Sequence, residues 1–103
     1  MQQPKFEAMD TTLRVEIGRY RDNGNMAVSL IEEDGFNSPF GSLSVNIDLP
    51  LAEGEFFAKT WSENDELAQA ALASGVFEDT GRRVPYGFVE AQVWRLMDQR
   101  RPA

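Results

Sequence analysis

Apolar and polar side chains begin to alternate at Thr12: Leu13, Val15 and Ile17 share one face, Arg14 and Glu16 the other. A period of two is what a strand with one buried face requires, so this stretch predicts a strand. Arg21-Asp22-Asn23-Gly24 interrupts it, and Asn23-Gly24 predicts a tight hairpin because both residues tolerate positive φ. The return strand presents Met26, Val28 and Leu30 on one face and runs into Glu32-Glu33-Asp34-Gly35. Gly35–Gly41, with Asn37, Ser38 and Pro39 inside it, reads as a loop. Leu43, Val45 and Ile47 then alternate with Ser42, Ser44 and Asn46 as a third strand, which Pro50 ends by removing an amide donor. The turn Ala52-Glu53-Gly54 leads into a fourth strand over Glu55–Trp61.

The period then changes. Leu67, Ala68, Ala71 and Leu72 fall at helical spacing and give one apolar stripe. Ser62 stands where a hydroxyl can cap the first turn, and Glu63, Asp65 and Glu66 set negative charge at the positive end of the helix dipole. Gly75 supplies the left-handed residue that closes a helix, and Val76 can fold back on the last turn. Val76-Phe77-Glu78 and Arg83-Val84 flank Thr80-Gly81 as a short hairpin or wide turn. Gly87 releases a last strand over Phe88–Met97, with Val89, Ala91 and Val93 facing one way and Phe88, Trp94 and Leu96 the other. Residues 1–11 show no periodicity and read as a loose lead-in, and 98–103 as a basic tail. The elements predict a single α+β domain over 12–97. It has an antiparallel sheet of about five to six strands and one helix, about 63–74, on one face.

A chain of 103 residues suits one domain with a real core, and Phe6, Phe40, Phe56, Phe57, Phe77, Phe88, Trp61, Trp94, Tyr20 and Tyr86 supply its bulk. Cysteine is absent, which removes disulfides and thiolate metal sites. Histidine is absent too, and with it the commonest general base and metal ligand. Met1-Gln2-Gln3-Pro4-Lys5 has no apolar signal core, and no stretch approaches membrane-spanning length, so a cytoplasmic protein without membrane contact is expected.

Catalytic patterns fail on inspection. Serines are present without a histidine to activate them, no Gly-x-Ser-x-Gly elbow occurs, and the glycines occupy turns instead of a phosphate-cradling loop. Two carboxylate pairs, Glu32 with Asp34 and Glu63 with Glu66, could act as acid and base. Capping and solvation account for both without chemistry. Neither acidic run follows the alternating ligand register of a calcium loop. No enzyme activity, cofactor or metal is expected.

Charge carries the remaining signal. The net charge of −7 is concentrated: residues 32–79 hold eleven acids against Lys59 alone, residues 1–31 are balanced and 80–103 are net basic. The acids Glu32, Glu33, Asp34, Asp48, Glu53, Glu55, Glu63, Asp65 and Glu66 can form a face for a basic groove on another protein, standing where nucleic-acid phosphates would lie. Such a face argues against direct nucleic-acid binding, since a phosphate backbone rewards cations. The alternative is a nucleic-acid patch of Arg82, Arg83 and Tyr86 with Phe88, Arg95, Arg100 and Arg101, although aromatics at a strand start more often serve a core. An ordinary solvated acidic surface explains the same composition.

The order of several short segments resembles a family of small uncharacterised acidic proteins carried by phages, plasmids and other bacterial mobile elements. These segments are Gly18-x-Tyr20 to Asn23-Gly24-Asn25, Ser44-Val45-Asn46-Ile47, Trp61-Ser62-Glu63-Asn64, Ala73-Ser74-Gly75-Val76, Asp79-Thr80-Gly81-Arg82 and Gly87-Phe88-Val89. The resemblance covers about 12–97 and brings no catalytic residue with it. It implies a bacterial host cell and an inhibitor of a host defence nuclease, of the anti-CRISPR or anti-restriction type, that occupies a nucleic-acid-binding surface. The basic C-terminal residues depart from that pattern.

Overall fold

The computed structural model of the chain describes residues 4–33 and 35–97. Among them run β1 (Lys5–Ala8), β2 (Thr11–Arg19), β3 (Met26–Glu32), β4 (Ser38–Ser42) and β5 (Glu55–Ala58). A 3-10 turn (Ser62–Asn64), α1 (Asp65–Ala73), β6 (Phe77–Tyr86) and β7 (Val89–Leu96) follow. The class is α+β, as expected, but the strands form two antiparallel sheets instead of one: β1-β2-β3-β4 and β5-β7-β6.

Residues 43–45 explain the division. Leu43 donates its amide to Val28 of β3 at 2.9 Å and accepts from Lys59 at 2.8 Å, while Val45 donates to Phe57 of β5 at 2.9 Å. The buried Ser44 hydroxyl takes the Val28 amide at 2.9 Å, where a strand would offer a carbonyl, and meets the Tyr20 hydroxyl at 2.8 Å. The stretch therefore bonds to both sheets, yet only Ser44 and Ala58 make a ladder bridge. The expected third strand is largely a joint, and the second partner of β3, beside β2, is β4, all of which but Ser42 lies inside the expected loop. Pro39 is tolerated there because β4 is an edge strand.

The joint lets the sheets curl toward each other. β1 and β6, the strands farthest from it, both touch α1. Phe6 on β1 also meets Phe77 on β6 edge-on, with ring centroids 6.4 Å apart at 82°. The helix thus closes the gap between the outer strands and buries Leu67, Ala68 and Ala71 in the main core with Leu13, Val28, Phe56 and Trp94. Because strand side chains alternate, β5 and β7 send Phe57, Ala91 and Val93 to the opposite face. There Ile47 joins them, and Trp61 and Val84 pack against the cluster.

Several expectations change with this topology. Lys5–Ala8, read as part of a loose lead-in, is β1; residues 1–3 and the expected tail 98–103 lie outside the described residues. Met9 and Asp10 make the β1–β2 turn at φ +53° and +63°, left-handed values that glycine or asparagine usually supplies. The Asn23-Gly24 hairpin exists, but its closing bonds run between Tyr20 and Asn25 and from Gly24 to Tyr20, a wider turn than expected. Ser62 does not cap: its φ is +57° and the helix start has no side-chain cap. Asn64 is buried there, and its amide donates to the Ser42 and Lys59 carbonyls at 2.9 and 3.2 Å, tying the helix start to both sheets. The C-terminus behaves as expected, with Gly75 at φ +84° and Val76 buried.

Thr80-Gly81 is a bulge within β6 and not a hairpin. The reversal comes at Gly87-Phe88, between the paired residues Tyr86 and Val89. Tyr86 and Phe88 are consequently surface residues: Tyr86 is 41% exposed and Phe88 fully so. No helix among the described residues is long and apolar enough to cross a membrane.

Candidate functional site

The acids expected to share a face are distributed. Glu33 accepts Lys5 Nζ at 2.9 Å and Arg14 Nη1 at 2.7 Å on the outer side of the four-stranded sheet. These two hydrogen bonds hold its carboxyl below the ordinary 4.5. Glu55 is buried and ion-paired to Arg82. Burial takes Glu55 out of the expected face, whereas Glu33 stays exposed and carries its two cations with it. Glu32 is half-buried at the far end of β3, and Asp34 lies outside the described residues.

Five exposed acids of the expected set remain, in two groups. Asp48 and Glu53 precede β5, whereas Glu63, Asp65 and Glu66 follow it, and no salt bridge among the described residues reaches any of them. The four-residue strand β5 lies between the two groups in the chain. The second group is the denser. It opens the helix, where the aligned peptide dipoles favour carboxylates, and within it Gln69 Nε2 donates to Asp65 Oδ1 at 3.3 Å.

The arginine patch is answered from within the same sheet. Arg83 grips Asp79 through both terminal nitrogens, each 2.9 Å from a carboxylate oxygen. Arg95 bonds Glu78 at 2.7 and 3.2 Å across the β6–β7 ladder. Arg82 reaches Glu55, whose other oxygen takes the Ala52 amide at 2.9 Å. Arg100 and Arg101 lie outside the described residues. The pairings Glu78–Arg95 and Glu55–Arg82 depend on strand register and a bulge, so no local sequence pattern announces them.

Glu55 gives the site a pH dependence. Burial pushes its pKa up, but the Arg82 and Ala52 hydrogen bonds together outweigh burial and hold it below 4.5. A lowered carboxylate contributes stability above its unfolded pKa and loses it as pH falls through the folded one. Arg82→Ala removes the largest opposing bond and leaves burial to dominate. Its expected cost at pH 7 is about 1–2 kcal/mol, the low part of the range for a charged hydrogen bond, because Arg82 is 55% exposed. The deficit should shrink as pH falls through the folded pKa of Glu55, where the wild type loses the ionised partner too, and urea denaturation at pH 7 and at an acid pH checks this. An equal deficit at both would contradict the account.

The chain was compared with protein-family models, curated proteins and solved structures. None matches. With no relative to lend a function, the reading rests on geometry. Among the described residues no group of three or more Asp or Glu side chains is placed to hold a metal ion. A depression between β1 and the end of α1 is lined by Lys5, Phe6, Glu7, Ala70, Ala73 and Ser74. Its two charged residues, Lys5 and Glu7, are exposed to water, and Lys5 is paired with Glu33.

Proposed function

We propose that the protein is a non-enzymatic inhibitor. It binds a basic nucleic-acid-binding surface of another protein through the carboxylates at the start of α1, and a host defence nuclease is the class of partner that the family resemblance implies. One observation carries the reading: Arg82, Arg83 and Arg95 are each spent on an acid of their own sheet, while Glu63, Asp65 and Glu66 face solvent outside any salt bridge among the described residues. The arginines of the β5-β7-β6 sheet are thus paired within it, whereas the start of α1 presents carboxylates outside any such pair; Arg19, Arg21 and Lys59, on other parts of the surface, are the described cations that no salt bridge engages. A surface built to hold phosphates would attract these carboxylates and be steered by them, with charge setting encounter and orientation more than affinity. Direct nucleic-acid binding through the arginines would first have to break their ion pairs.

The test is a pull-down with the tagged protein from host-cell lysate, with and without nuclease, read by mass spectrometry. A nucleic-acid-binding protein retained after nuclease treatment and displaced by added DNA or RNA is the expected result. Partners that vanish with nuclease would overturn the reading and return attention to the arginine patch. A gel-shift series would then show binding that falls steeply with salt.

A further inference from the structure

The reversal between β6 and β7 is built as a two-residue hairpin turn, with Tyr86 paired to Val89 and Gly87 at φ +61°. A positive φ at the first central position demands glycine, and Gly87 meets that demand. Nothing in the turn demands Phe88. Its ring is fully exposed at the tip of the hairpin, the position where the fold gains least from an apolar side chain. Behind it, Tyr86 is partly exposed and packs on Trp61 with ring centroids 5.9 Å apart. Trp61 is joined directly to the turn that begins Ser62-Glu63, so the base of the aromatic tip packs beside the stretch that carries Glu63, with Asp65 and Glu66 following it at the start of α1. Glu90, exposed two residues past Phe88, adds a further carboxylate on the hairpin itself.

We infer that this hairpin is a docking finger: Phe88 enters an apolar pocket in a basic protein surface, and Glu63, Asp65, Glu66 and Glu90 meet the cations around that pocket. The basic character of the partner rests on the proposed function above; the finger itself rests on Phe88. Charge complementarity selects this occupant over two others. A nucleic acid stacking on Tyr86 and Phe88 needs free cations beside them, and Arg82 and Arg83 are committed to Glu55 and Asp79. An anionic membrane would repel a chain of net charge −7. Apolar anchors ringed by polar contacts are the usual centre of binding energy in protein interfaces, and aromatic side chains predominate among them.

The test uses a random dodecapeptide library displayed on phage, panned on the wild-type protein and counter-selected on Phe88→Ser. That variant should melt with the wild type, because Phe88 buries nothing in the fold. The expected peptides carry Arg or Lys around one aromatic or large aliphatic residue and bind the wild type about 10- to 100-fold more tightly than Phe88→Ser. Their amide shift changes should cluster at Trp61, Glu63–Glu66 and Tyr86–Glu90. Basic peptides that bind both proteins equally would overturn the finger while leaving the acidic reading intact. Apolar peptides without basic residues would overturn the basic pocket and that reading together. No enrichment over Phe88→Ser, or oligo-dT or anionic vesicles perturbing Phe88, would overturn the finger.

Discussion

Trp94→Ala should cost about 3–5 kcal/mol, the range for truncating a buried aromatic to alanine. Trp94 is fully buried on β7, the central strand of the β5-β7-β6 sheet. Its ring lies 6.0 Å from Phe56 at 76° and 5.9 Å from Phe77 at 38°, so one side chain joins all three strands. Phe77 in turn touches Phe6 of β1, which carries the loss across to the other sheet. Trp94 Nε1 donates to Gln92 Oε1 at 2.9 Å, and truncation also leaves that acceptor without its partner. A domain of this size holds about 5–15 kcal/mol in all, so the variant would stand near the limit of folding. The melting temperature should fall by roughly 15–30 °C. Calorimetry or urea denaturation checks it, and a cost below about 1 kcal/mol would contradict the placement of Trp94 at the centre of the core.

Much of this fold is legible in the chain, and the illegible parts share a cause. The alternation of Leu13, Val15, Val28 and Leu30 and the closure of the helix at Gly75 are local properties, and the structure keeps them. Ser42, Ser44, Val45 and Ile47 alternate just as well, but here the period reflects a segment shared between two sheets. Its bonds go to Val28 on one side and Phe57 and Lys59 on the other, which only the tertiary arrangement reveals. β1 escaped because its turn uses Met9-Asp10: Asp10 tolerates a left-handed backbone, but Met9 gives no turn signal beside it.

The candidate site was legible in part. The run Glu63-Asn64-Asp65-Glu66 reads as acidic and helix-opening, and Glu63, Asp65 and Glu66 are exposed in the fold. Composition could not separate these from Glu55, which is equally charged but lies in a strand beside Arg82 and is buried. Tyr86 and Phe88 read as core because aromatics at a strand start usually are. The register of β6 on β7 instead makes Gly87-Phe88 the turn and sends Phe88 outward.

Reversing Glu63, Asp65 and Glu66 to lysine should weaken partner binding at least about tenfold by charge alone. An exposed ion pair contributes about 0.2–1 kcal/mol, and reversal turns each attraction into a repulsion of similar size. Across three sites the loss is on the order of 1–6 kcal/mol, or roughly 10- to 10,000-fold in affinity, largest at low salt. The same change opposes the dipole at the start of α1 and should cost the fold about 0.3–1 kcal/mol per site. The neutral triple variant Glu63→Gln, Asp65→Asn and Glu66→Gln therefore belongs beside it, and both should be folded by circular dichroism at the temperature of the assay. The decisive measurement is the affinity of wild type, neutral and reversed proteins for the nucleic-acid-binding protein retained in the pull-down, taken at low and high salt. A stepwise loss from wild type to neutral to reversed, narrowing as salt rises, is the predicted result. Equal affinities for the three folded proteins, independent of salt, would show that these carboxylates do not form the binding face.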